Sequence, residues 1–157
     1  MAGNDIAIAR VLISTHGHAT EDIDKVKQAI LNILPQNLRS KVSIEEETIV
    51  GYYGNPIVRL KIVLEGSDAL EFVKNILSKM SESDKRLLLS TLDARYNRKT
   101  NELYLRLSKQ DAYLGSIILY DGDDVIKIVI TFAYKRSLKD VQKLIEDLVK
   151  GFTGNAG

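Results

Sequence analysis

Apolar and polar side chains alternate strictly between Glu102 and Ser108, where leucine occupies every second position. This period of two is typical of a β-strand that buries one face and exposes the other. Strands of this kind must share a core on one side, so the sequence predicts a mostly antiparallel sheet. Further strand-like segments lie at 6–15, 41–50, 56–64, 117–120 and 125–132.

Helical spacing of apolar residues accounts for much of the remaining chain. We expect Thr20 to cap the first helix by accepting a hydrogen bond from a free backbone N–H, and Gly151 to end the last helix. The stretch 121–124 is typical of a tight hairpin turn in which Gly122 takes a positive φ. The predicted helices carry their apolar positions over 23–34, 70–80, 87–92 and 138–149.

The predicted order is β-α-β-β-α-α-β-β-β-α, which indicates an α+β fold with the helices packed on one face of the sheet. We expect one domain over 1–157, with a core from about residue 5 to residue 150 and a loose tail at 152–157. The chain has no cysteine, which excludes a disulfide framework, a thiol nucleophile and a cysteine-ligated zinc. Because no apolar run reaches the roughly 20 residues of a membrane span, and no signal peptide is recognisable, we expect a cytoplasmic protein without membrane contact.

Side chains suited to RNA gather where the alternating strand ends. Arg106 can hold a phosphate with two parallel hydrogen bonds, Lys109 offers a mobile charge, Gln110 can contact a base edge and Tyr113 can stack on a base. The net charge is only +1, so RNA contact requires a local patch. The predicted RNA-binding residues are Arg59, Lys61, Arg98, Lys99, Tyr104, Arg106, Lys109, Gln110 and Tyr113, with Lys127 and Arg10 on the same predicted sheet face.

The same residues are compatible with other functions. Any surface hairpin carries polar and aromatic side chains, and charged residues on a sheet are often cross-strand partners. The charged face can therefore also pack against a second copy of the chain or a partner protein, with Glu45 and Glu47 bridging the cations.

Two histidines near the first helix form a second candidate site. His16 and His18, with Glu21 or Asp22, have the spacing of an H-x-H metal site, but the spacing does not guarantee a third ligand, and we predict no metal. Alternatively, His18 and Thr20 lie beside the free N–H groups of the helix start and can receive a phosphate.

The sequence offers no recognisable catalytic set. It contains no G-x-S-x-G motif, and neither histidine has an acidic partner at a fixed spacing. Asp121, Asp123 and Asp124 fit a hairpin turn better than a magnesium site. We therefore predict a protein without enzymatic activity or cofactor, with a metal-dependent hydrolase or nuclease as the alternative.

Three separated motifs resemble those of an archaeal family of predicted RNA-binding proteins. They are His18-Ala19-Thr20-Glu21-Asp22 leading into Lys25-Val26, then Gly51 with Gly54-Asn55-Pro56-Ile57, and Arg106 with Lys109-Gln110-Ala112-Tyr113-Gly115. The resemblance implies an RNA role in an archaeal cytoplasm, association with the exosome or with ribosomal components, and no catalytic residues. It also implies a fold similar to that of the fifth large-subunit ribosomal protein.

Overall fold

Six strands form a single antiparallel sheet in the computed structural model, which describes residues 7–18, 20–51 and 53–154, the last four by their backbone alone. The strands are β1 (Ile8–His18), β2 (Glu45–Val50), β3 (Pro56–Glu65), β4 (Tyr96–Asn97), β5 (Glu102–Ser108) and β6 (Val125–Phe132). Their spatial order is β2-β3-β1-β6-β5-β4, so β1 and β6 occupy the middle of the sheet.

Helices fill the connections between these strands. They are α1 (Ile23–Asn32), α2 (Gln36–Arg39), α3 (Gly66–Lys79), α4 (Glu82–Ser90), α5 (Leu92–Arg95), α6 (Lys109–Tyr113) and α7 (Leu138–Gly154). The predicted α+β fold with a mostly antiparallel sheet is confirmed. Within the described ranges, no helix has the length and hydropathy needed to cross a bilayer.

One face of the sheet forms the core, because the buried positions of neighbouring strands lie opposite one another. Ile13 lies opposite Ile62 on β3 and opposite Ile128 on β6, and all three side chains are buried. Each such side chain contributes roughly 1.5–3 kcal/mol when it leaves water. The polar Thr15 shares this face, and its hydroxyl donates to the carbonyl of Val125 at 2.9 Å. The opposite face therefore receives the other half of each alternation, which is mostly polar but includes Leu12, Val63 and Val129.

Both predicted helix boundaries differ from the structure. Asp22, not Thr20, caps α1, because its carboxylate accepts a hydrogen bond from the backbone N–H of Asp24 at 3.0 Å. Helix α7 continues through Gly151 to Gly154, since a glycine inside a helix costs only about 1 kcal/mol and does not break it. The loose tail at 152–157 stays a prediction, and 155–157 lie outside the described residues.

The region after β5 departs most from the prediction. Residues 109–113 form α6 instead of a loop, and the hydroxyl of Ser108 caps this helix by accepting from Asp111 N at 3.2 Å. The predicted strand 117–120 is reduced to one bridge between Leu107 and Leu119. Gly122 does not take a positive φ, and the ring of Tyr120 fills the space that a β-carbon there would need.

Candidate nucleic-acid interface

The face of the sheet opposite the core carries a row of cations. Lys61, Ser14, Lys127 and Arg106 lie in register on β3, β1, β6 and β5. With strands about 4.8 Å apart, the row spans about 14 Å. The sequence alone predicted that these basic residues share a face, and the register now gives their order across it.

The cations of this row differ in whether a carboxylate already neutralises them. Lys61 Nζ lies 3.5 Å from Glu45, and Arg59 in the next row lies 3.9 Å from Glu47. These are the cross-strand pairs that the sequence left open as an alternative, and exposed pairs of this kind contribute only about 0–1 kcal/mol. By contrast, Lys127 is exposed and forms no ion pair with any described residue.

Arg106 is held by the backbone at the side of a cleft of about 630 Å³. One terminal nitrogen, Nη2, donates to the carbonyl of Gly122 at 2.8 Å. Its Nε is buried without an acceptor among the described residues, which costs about 1–3 kcal/mol unless water or a ligand supplies one. The cleft is lined by Ser14, His16, Arg106, Lys109, Gln110 and Lys127, among others.

Lys109 forms the floor of this cleft and is only 4% exposed. Its ammonium group contacts His16 O at 2.8 Å, Glu21 Oε2 at 3.0 Å and Asp124 Oδ1 at 2.7 Å. An ammonium group has three donors, and all three are used. The prediction that Lys109 is a mobile surface charge is therefore wrong, because residues distant in sequence enclose it.

The amide of Gln110 completes the same cluster by donating to Asp124 Oδ2 at 2.8 Å. Burial acts to raise the pKa of Asp124, but the hydrogen bonds from Lys109 and Gln110 outweigh it and lower that pKa below its ordinary value. Asp124 is thus held as a carboxylate that fixes the amide of Gln110 beside it.

His16 lies in the cleft as a hydrogen-bond acceptor. Its Nε2 is 3.4 Å from Arg59 Nε, which donates to it. Burial lowers the pKa of His16, and the charges of Arg59 and Lys127 lower it further. Among residues 7–18, 20–51 and 53–150, no group of three or more histidine, aspartate or glutamate side chains is arranged to hold a metal ion.

His18 and Thr20 line a groove beside the connection between β2 and β3, and His18 also lines the cleft. The start of α1 already carries negative charge, since the carboxylate of Asp22 accepts from the backbone N–H of Asp24 and Asp24 adds a second carboxylate. The phosphate position predicted there would meet negative charge. His18 instead donates its backbone N–H to Glu21 at 3.1 Å.

Tyr113 does not share a surface with Tyr104. Its ring lies 5.9 Å from Lys25 Nζ, in a groove between α1 and α6. Tyr104 lies on the open face of β5 and is 38% exposed, with its hydroxyl donating to Glu102 at 2.8 Å. Lys109 and Gln110 line both the groove of Tyr113 and the cleft of Arg106, so the predicted corner is brought together except for Tyr104, which lines a different groove.

Tyr104 instead shares a groove of about 540 Å³ with the basic hairpin between β4 and β5. Arg98 and Lys99 are exposed at this hairpin and form no ion pair with a described carboxylate. Arg95 lines the same groove, with its Nε donating to Thr91 at 2.8 Å. No acidic residue is among the side chains described as lining it.

Sequence reasoning missed one basic and aromatic segment close to this hairpin. Residues 134–136 read Tyr-Lys-Arg directly after β6. The side chain of Asn101 fixes them beside the hairpin by donating to the carbonyl of Tyr134 at 2.9 Å. The sequence signal that could have revealed this segment is a tyrosine followed by two cations shortly after a strand.

Residues 10–132 match the sequence profile of a family described as RNA binding. The chain belongs to this family. The uncharacterized protein MJ0213 of Methanocaldococcus jannaschii is similar to this chain, at 36% identity over 78% of this chain and 83% of that protein. The RNA-binding protein PAB1135 of Pyrococcus abyssi is 30% identical over 96% of this chain and 99% of that protein.

A solved structure has the same fold. The crystal structure of protein SSO0741 from Sulfolobus solfataricus, a DUF54 protein, superposes with a TM-score of 0.76 at 30% identity, covering 90% of this chain and 98% of that one. The predicted resemblance to an archaeal RNA-binding family is confirmed at the level of the family. Exosome association and a likeness to the fifth large-subunit ribosomal protein stay predictions.

Proposed function

We propose that this protein is a non-catalytic RNA-binding protein that holds a single strand along the open face of its sheet. The contact surface, which we call the track, runs from the β4–β5 hairpin over Tyr104 into the cleft. It consists of Arg98, Lys99, Tyr104, Arg106 and Lys127. Membership of a family described as RNA binding, and a relative named as an RNA-binding protein, support this assignment.

The observation that carries the proposal is an exposed aromatic ring between two groups of cations that lack ion-pair partners in the described chain. Tyr104 and Arg106 are two residues apart on the same face of β5, which places their Cα atoms about 7 Å apart. Arg106 lies directly opposite Lys127 on β6. A basic groove combined with a stacking ring is the common arrangement for binding single strands.

Each residue of the track has a distinct role in this proposal. Tyr104 stacks on an unpaired base, while the hairpin cations hold the phosphates on one side of it. On the other side, Arg106 and Lys127 contact the next phosphates. Gln110, at the side of the cleft, contacts a base edge.

The remaining predicted residues support the track to different degrees. Arg59 and Lys61 can exchange their weak glutamate pairs for phosphates and so extend it across β3. Lys109 acts as a positioning residue, because its donors are used within the protein. Tyr113 and Thr20 are not part of the track but line grooves that adjoin the cleft, the first through Gln110 and the second through His18.

In the cell, we propose a role in RNA processing or degradation in association with the exosome, or in ribosome-related work in the cytoplasm. The three sequence motifs that resemble the archaeal family support this finer assignment. Copurification of exosome or ribosomal components with the full chain tests it, and their absence from an RNA-bound sample contradicts it.

Salt-dependent binding to single-stranded RNA tests the track itself. For single strands, log K falls with log salt by about 0.7 per phosphate contact, so Arg106→Ala with Lys127→Ala should reduce the slope by about 1.4. The matched control is Lys79→Ala with Lys143→Ala, two exposed lysines on helices. A track variant that keeps the parent's affinity and slope contradicts the proposal.

A second candidate function is assembly through the same face. Beside the cation row, Val63, Leu12, Val129 and Tyr104 lie in register across four strands and form a partly exposed apolar row. Such a row can pack against a second copy or a partner protein. Light scattering over a range of concentrations tests this, and a concentration-dependent dimer without RNA affinity favours assembly over RNA binding.

A further inference from the structure

The segment Tyr134-Lys135-Arg136 lies after the residues that match the family, which end at 132. We infer that it is a second contact for the RNA strand bound by the track, in which Tyr134 stacks on an unpaired base and the two cations hold neighbouring phosphates. This inference rests on the proposed function and extends it beyond the sheet to the connection between β6 and α7.

Asn101 fixes the backbone of this segment. With φ at 61°, Asn101 turns its side chain so that Nδ2 donates to the carbonyls of Phe132 and Tyr134, both at 2.9 Å. Its Oδ1 accepts from the backbone N–H of Arg136 at 3.2 Å. The hydroxyl of Tyr96 donates to the carbonyl of Arg136 at 2.7 Å. The segment is therefore held in one place before any ligand arrives, which reduces the entropy lost on binding.

The anchored segment lies next to the basic hairpin of the track. Asn101 belongs to that hairpin, and its Oδ1 accepts from both the hydroxyl of Tyr96 at 2.8 Å and the backbone N–H of Arg136 at 3.2 Å. The carboxylate near Arg136 is that of Asp140, which is engaged with the backbone N–H of Ser137 at 3.2 Å. A strand leaving Tyr104 over the hairpin thus passes the carboxylate of Glu102 as well as Arg98 and Lys99 before it reaches Tyr134.

The side chains of the segment are arranged for a flat ligand with a negative charge. Tyr134 is 62% exposed, and the guanidinium carbon of Arg136 lies 5.9 Å from its ring centroid. Nε of Arg136 is buried and has no acceptor among the described residues. One ring face is available to a base, and the exposed ammonium group of Lys135 is available to a phosphate oxygen. Base-paired RNA hides its bases, so the segment favours an unpaired strand.

Tyr134→Leu tests the stacking contact, with fluorescently labelled single-stranded RNA and an abasic oligonucleotide of equal length as the two probes. Loss of base stacking costs about 1–3 kcal/mol, so RNA affinity should fall about 5- to 150-fold, while affinity for the abasic probe should not change. Tyr53→Leu, an exposed tyrosine between β2 and β3 at the other end of the sheet, serves as the matched control. Lys135→Ala should separately reduce the salt slope by about 0.7.

The outcomes distinguish this inference from the proposed function. If the parent binds RNA and the Arg106 and Lys127 variant weakens binding, but Tyr134→Leu and Lys135→Ala do not, the inference is overturned and the track stands. If Tyr134→Leu weakens both probes equally, stacking is refuted. A parent that fails to bind RNA overturns the proposed function and this inference with it.

Discussion

Replacement of Lys109 by methionine should destabilise the fold more than it weakens RNA binding. The methionine keeps the apolar stem but removes the ammonium group that links β1, α6 and the turn before β6. Losing one partner of a fully buried ion pair costs 3–5 kcal/mol. Here the carboxylates of Glu21 and Asp124 are 27% and 43% exposed, so solvent screens them and we expect a loss of about 2–3 kcal/mol.

Thermal unfolding followed by circular dichroism measures this loss. For a chain of this size, 1 kcal/mol shifts Tm by about 2–4 °C, so Lys109→Met should lower Tm by about 4–12 °C. Adding Asp124→Asn should restore part of that loss by removing an unpaired carboxylate. The matched control is Lys127→Met, since that exposed lysine should change stability by no more than about 0.5 kcal/mol.

Two results would refute this reasoning. Equal Tm values for the parent and Lys109→Met would show that the buried cluster contributes nothing to stability. A variant that keeps its Tm but loses RNA affinity at a temperature where it is folded would show that Lys109 contacts RNA directly, as the sequence first suggested.

Two further predictions follow from single side chains. Asn101→Gly keeps the backbone free to adopt positive φ but removes the side-chain hydrogen bonds, so the free energy of unfolding should fall by about 2–3 kcal/mol, measured as a lower urea midpoint with an unchanged m-value. Burial, and then the charge of Arg59, lower the pKa of His16 below its ordinary value of 6.5. The neutral imidazole of His16 therefore makes its full contribution to the free energy of unfolding above pH 6.5, and this contribution is lost as the pH falls through the lower pKa of the folded state. Urea titrations on both sides of pH 6.5 should show a smaller pH dependence for His16→Gln, and an equal dependence in both proteins would contradict this assignment.

Elements determined by local pattern could be predicted from the sequence. The alternation at 102–108 and 125–132 coincides with the observed β5 and β6, because the period of two is a property of each strand itself. Helix α6 was missed because it is a single turn stabilised from outside. Asn32 on α1 donates to the carbonyls of Ala112 and Tyr113, both at 3.0 Å, and nothing in 109–113 shows that a partner 80 positions earlier will be there.

The candidate site was harder to predict because it depends on strand order. The sequence placed Tyr104 and Arg106 on one exposed face, which requires only the alternation within β5. It could not place Lys109, whose environment comes from His16 and Glu21, 93 and 88 positions away. A lysine following a strand is usually exposed, so only tertiary structure could reveal that this one is enclosed.

The outermost long strand, β2, is attached differently from the rest of the sheet. It buries no side chain completely, and its three consecutive glutamates reach Lys61 and Arg59 on one side of the sheet and Lys27 of α1 on the other. Exposed charge pairs weaken as ionic strength rises, whereas the apolar contacts of β1 do not. Strand β2 should therefore open before the other long strands. A rise in salt should speed hydrogen exchange in β2, whereas the central strands should stay protected from exchange.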